Sequence, residues 1–146
     1  KKEVYDEDII ALIGSRESSD KIKFTNLAIN CDSTDNTTAE LTLSVDGQQV
    51  IRTETGNGPV DAIFNAIYKI VPHDTRLDLY QVHSVTKGTD AQAKVTVRLE
   101  NKEGRIISGH ASHTDTMVAS AKAYIAALNK MFKRDSEKPT TQNIYI

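Results

Sequence analysis

With 146 residues, 38% of them hydrophobic, the chain is long enough for one domain that folds without a metal or disulfide staple. Its 18 Lys and Arg face 20 Asp and Glu, a net charge of −2, which argues against the basic stripe of an electrostatic nucleic-acid binder. A lone cysteine, Cys31, cannot close an internal disulfide, and no apolar run approaches the roughly 18 residues of a membrane span, so neither nucleic acid nor membrane is an expected partner and a cytoplasmic location is expected.

The first residue is Lys1 rather than Met, so the chain reads as a piece of a longer one, with residues 1–20 as a connector carrying a short helical patch from Asp8 to Ile13. From Lys21 the pattern turns to period two. Ile22 and Phe24 are in phase, a slip of one follows, and Leu27, Ile29 and Cys31 continue, which is the mark of a bulged strand. Leu41, Leu43 and Val45 form a second strand that ends at Asp46-Gly47, a strong hairpin signal, and the return strand runs from Val50 to Gly56.

After Gly56-Asn57-Gly58-Pro59, the positions Val60, Ile63, Phe64, Ile67, Ile70 and Val71 trace one face of a helix. Pro59 suits its first position, where the missing N–H costs nothing, and Pro72 stops it. The order then repeats. Leu77 to Lys87 reads as a strand, Val95, Val97 and Leu99 as a second, and Arg105 to Ala111 as a third, with a turn at Asn101 to Gly104. Met117, Ala121, Tyr124, Ile125, Leu128 and Met131 trace a second helix, with Thr114 or Asp115 as N-cap.

The chain therefore contains β-β-β-α twice, with middle strands 54 residues apart and helices 57 apart. The expected fold is α+β: two βββα units, about 21–72 and 73–132, related by a pseudo-two-fold, each a three-stranded antiparallel sheet backed by a helix. The remainder, 133–146, is charged, then polar, with Pro139, and reads as a flexible tail.

Catalytic signals are scarce, and no catalytic residue is assigned. His110-x-x-His113 lacks further ligands at a recognisable spacing, so solvated loop histidines are expected rather than a metal site. Cys31 reads as a buried thiol on a strand. Gly56-x-Gly58 lacks the third glycine and the parallel-strand context of a dinucleotide fingerprint. What these glycines allow is a close approach to the N–H groups and positive dipole end of a helix, a setting that favours a carboxylate. Asp61 then either complements the dipole or meets an ammonium. One reading makes the segment a plain turn, and the other makes it a site for a small zwitterion.

Three segments, Thr55 to Ala62, Lys87 to Ala93, and Thr114 to Tyr124 with Ala127-Leu128-Asn129, resemble in order the C-terminal regulatory domain of α-isopropylmalate synthase, a domain shared with the citramalate synthases. The resemblance spans about Lys21 to Phe132. It implies a fragment without chemistry of its own, since the acetyl-CoA-dependent condensation and its divalent metal belong to a separate catalytic barrel of the same chain. It also implies a homodimer that binds leucine, or isoleucine in the citramalate relatives, and needs no cofactor. Carried over, Gly56, Asn57, Gly58, Pro59, Val60 and Asp61 take the polar end of the effector. Leu77, Tyr80, Ser84, Ala91 and Ala93 shape the apolar pocket, and Asp115 and Met117 contribute from the second unit or subunit. Tyr80 is either a pocket wall or an ordinary core aromatic. A domain with assembly as its sole role is the competing reading.

Overall fold

The computed structural model describes residues 20–33, 36–85 and 91–143; the expected helical patch at Asp8 to Ile13 and the end of the first strand of the second half at Lys87 lie outside these. In chain order the elements are β1 (Ile22–Cys31), β2 (Thr37–Val45), β3 (Gln48–Gly56), α1 (Pro59–Ile70), β4 (Arg76–Val85), β5 (Gln92–Glu100), β6 (Ile106–His113) and α2 (Thr116–Asn143). Strands β1-β2-β3 form one antiparallel sheet and β4-β5-β6 another. Helix α1 lies on β2 and β3, and α2 on β5 and β6. The α+β arrangement of two βββα units is thus the one expected.

The alternation explains the layers. Ala39, Leu41 and Leu43 of β2, and Val95, Val97 and Leu99 of β5, turn one face to the helices and are buried, while the polar residues between them face outward. The β2–β3 hairpin turns on Asp46 and Gly47 with φ of 52° and 87°, the two positive values of a type I′ turn. Thr25 is the extra residue of a bulge between Phe24 and Asn26, as the phase slip indicated. A matching bulge falls between Leu77 and Leu79 at the same place in the second unit, where Asp78 is the extra residue.

Two close approaches set the helix positions. A Cβ added at Gly56 would lie 2.4 Å from the Ala62 nitrogen, and one at Gly109 would lie 2.2 Å from the Ala123 carbonyl oxygen. Any side chain there would push helix from sheet. Asn129 of α2 fixes β1 from the far end of the chain. Its amide oxygen accepts from the Ile22 N–H at 2.9 Å and its amide nitrogen donates to the Ile22 carbonyl at 2.8 Å.

The backbone of α2 continues past Phe132 to Asn143, over part of the segment read as a tail. Lys133 to Lys138 is rich in good helix formers, which carry on a helix already nucleated by its packed half.

Candidate functional site

Helix α1 starts without a side-chain cap, because its N-cap residue is Gly58. Gly58 has φ of 149° and ψ of 171°, and a Cβ there would meet nothing within 4 Å. A side chain at this position would therefore meet open space. Pro59 follows as the first helical residue, and the Ala62 N–H donates to the Gly58 carbonyl at 3.0 Å. Asp61 folds back so that its Oδ2 accepts from the Asn57 N–H at 2.9 Å, which leaves the exposed carboxylate beside the helix start.

Helix α2 starts 57 residues later with the same backbone bond, from the Ala119 N–H to the Asp115 carbonyl at 3.0 Å. Here the repeat-related position is Asp115 instead of Gly58, and its Oδ1 accepts from the Met117 N–H at 2.8 Å. The Asp115 N–H in turn donates to Nδ1 of His113 at 2.9 Å. One helix start thus has a carboxylate on its N-cap residue; at the other the N-cap is glycine, and the nearby Asp61 carboxylate bonds the Asn57 N–H instead.

Tyr80 of β4 stands between the helices. Its ring meets Phe64 of α1 edge-on at 5.7 Å, and its hydroxyl shares a 2.7 Å hydrogen bond with Ser120 of α2. Ser120 is buried and spends its one proton on the Thr116 carbonyl at 2.8 Å, so Tyr80 is the donor. Phe64 also touches Tyr124 at 4.5 Å, and Tyr124 hydrogen-bonds Nε2 of His73 at 3.2 Å. Burial pushes the Tyr124 phenol up to about 12, and burial, partly offset by Asp74, holds the His73 imidazole below its usual value. An aromatic bridge therefore links both helices and β4.

The LeuA allosteric (dimerisation) domain matches residues 3–132. The chain belongs to this family. It is 54% identical over 136 residues to a 2-isopropylmalate synthase of Caulobacter vibrioides, covering 92% of this chain and 26% of that protein. Over 133 residues it is 53% identical to one of Nitrobacter hamburgensis, covering 90% and 25%. Over 144 residues it is 51% identical to one of Bradyrhizobium diazoefficiens, covering 97% and 28%. The chain spans about a quarter of the length of these relatives.

Within this LeuA domain the expected site residues fall into two groups. Gly56 to Asp61 form the α1 start, and Asp115 and Met117 form the α2 start. Ala93, buried, is the register partner of both Ser84 and His113 and so lies at the α2-start end of its sheet, with exposed Ala91 just before the strand. Leu77 pairs with Leu99, six positions along β5 from Ala93, so it stands about 20 Å away at the opposite end of the sheet. One protomer does not bring Leu77 and Ala93 around a single small molecule.

Two side readings change. His110 and His113 lie on β6 rather than in a loop, because the strand continues to His113. At a spacing of three they fall on opposite faces, and His110 bonds Thr96 at 3.0 Å while His113 serves the α2 cap. Cys31 is exposed instead of buried, since it ends an edge strand beyond the cover of the helices, 3.6 Å from the Thr37 hydroxyl. Among the described residues, no group of three or more His, Cys, Asp or Glu could hold a metal, and no helix is long and apolar enough to cross a membrane.

The sequence alone assigns no contact to Ser120, His73 or Asn129, and to Tyr124 only a place on the helical stripe. A serine within the alanine-rich inner stripe of α2 is the one signal that could have drawn attention, because a buried hydroxyl needs a partner.

Proposed function

We propose that this LeuA domain is the leucine-binding regulatory part of a cytoplasmic 2-isopropylmalate synthase, through which the end product inhibits the enzyme, and that it works as a homodimer. In this reading residues 21–132 are the regulatory domain, and the condensation, with its metal and acetyl-CoA, belongs to a catalytic barrel elsewhere in the protein. The observation that supports it most is the contrast between the two helix starts. Asp115 shows what the geometry accepts, a carboxylate on the N–H two residues on, and the open place at Gly58 takes the carboxylate of the free amino acid on the Val60 N–H. Asp61 faces the ammonium with the oxygen not held by Asn57.

Dimerisation has support from the edge strands. On the helix-facing side of β4, Leu77 is 43% exposed and Val82 41%, and on β1, the edge strand of the other sheet, Leu27 and Ile29 are half-buried. Such an apolar face suits a second copy, and a pocket completed by that copy accounts for the separation of Leu77 from Ala93. The named relatives favour leucine over isoleucine as effector. An effector inhibits only if it binds one arrangement of the enzyme better than another, and a coupling of about 1–3 kcal/mol is usual.

Calorimetric titration with leucine, isoleucine and valine, with the mass in solution, tests the proposal. Saturable binding of leucine to a dimer is expected. Preference for isoleucine would move the domain to the citramalate branch, and a dimer that binds none of the three would leave assembly as its role. Gly58→Val and Tyr80→Ala should each weaken binding about tenfold or more with the domain still folded; unchanged affinity in both would place the effector elsewhere.

A further inference from the structure

We propose that the chain's own acidic segment, residues 3–13, docks on a basic cleft between β1 and α2. The cleft holds about 550 Å³; its floor is Ile22, Phe24, Ile125 and Ala126, and its rim carries Lys23, Lys122, Lys130 and Lys133 against one carboxylate, Asp20. The lysines are exposed, and two of them rest on neutral partners. Lys122 lies 5.5 Å from the centre of the Phe24 ring, and Lys130 donates to the Ser108 carbonyl at 2.8 Å. The cleft is thus an apolar floor with a lysine-rich rim, on which Lys23, Lys122 and Lys130 meet no carboxylate among the described residues.

The matching partner is in the same chain. Between residues 3 and 13 there are four acids, Glu3, Asp6, Glu7 and Asp8, no base, and the apolar run Ile9 to Ile13. The described chain begins at Asp20, itself on the cleft rim. The six residues Gly14 to Ser19 reach at most about 20 Å, enough to return the segment to the cleft. The family match begins at residue 3, so this segment belongs to the matched unit along with the sheets. Asn129, which clamps Ile22, also lines the cleft, so the entry of the chain is fixed to α2 at the place where the segment would sit. This inference stands on the cleft and the charge pattern, independent of effector binding.

Zero-length carbodiimide cross-linking of the whole chain, read by mass spectrometry on a mixture of isotope-labelled and unlabelled protein, tests it. The exposed pairs Lys21–Asp46 at 3.3 Å and Lys102–Asp74 at 3.1 Å supply internal controls. Expected are links within one chain from the cleft lysines to Asp6, Glu7 or Asp8, at yields like the controls. In the double variant Lys122→Glu/Lys130→Glu, links from the remaining Lys23 and Lys133 to the segment should fall about tenfold with the controls unchanged. Adding Asp6→Lys and Asp8→Lys to that variant should restore linking between the same positions. Control links without segment links, segment links only between chains, or links indifferent to the charge reversal would each overturn the proposal.

Discussion

The two βββα units share strand register, bulge position and the backbone bond that opens each helix, yet sheet and helix meet at different heights. In the first unit the tightest contact is at the helix start, where Gly56 lies against Asp61 and Ala62. In the second it is a turn or more into the helix, where Gly109 lies against Ala123 and Ala127, and the residue matching Gly56 is His113. The second unit can therefore afford side chains at its helix start, and His113 and Asp115 close it. The first has glycine at both matching positions, Gly56 and Gly58. The repeated frame thus has one helix start closed by side chains and one built of glycines, where the proposed effector site lies.

The sharpest way to break this comparison is at the contact points. Gly109→Ala should cost about 3 kcal/mol in urea unfolding, because the methyl meets helix backbone that cannot swing aside, and Gly56→Ala about 2 kcal/mol, since it displaces only the first turn of a short helix. The reverse order would mean that the first unit dominates stability. Asp115→Ala should cost about 1 kcal/mol and speed amide exchange at Met117, whereas the α1 start has no cap of this kind to lose.

The aromatic bridge adds a pH test. The folded-state pKa of His73 is lowered, so its stabilising contribution is complete above the ordinary value near 6.5 and is lost as pH falls through the folded value. Melting temperatures from pH 7 to 5 should fall more steeply for the native chain than for His73→Gln; equal slopes would remove His73 from the account. The smallest effect is expected from Asp61→Asn. Loss of one exposed charge at the α1 start should cost about 0.5 kcal/mol at low salt and less as salt is raised, read by thermal melts at two ionic strengths.

Much of this frame is legible in the sequence because it is local. The hairpin follows from Asp46-Gly47, the α1 start from Gly58-Pro59, and the repeat from two helical stripes 57 residues apart. The bulge in β4 leaves its own trace, in the shift from Leu77 and Leu79 to Tyr80 and Val82. What local pattern does not carry is the meeting of distant elements. Nothing near Tyr80 announces Ser120, 40 residues away, and nothing near Asn129 announces Ile22. The site shares this limit: the α1 start is visible as a motif, while the distance from Leu77 to Ala93 needs the sheet.

Asn129 carries one more consequence. By offering both an acceptor and a donor to Ile22, its amide imitates a strand neighbour across a separation of 107 residues. During synthesis on the ribosome β1 can pair with β2 early, but the two bonds of Ile22 to Asn129 form only when nearly the whole domain has emerged. The two units are then not independent folding events in succession: the earliest part of the domain is completed by the latest, and a chain cut between the units should lose that closure in both halves.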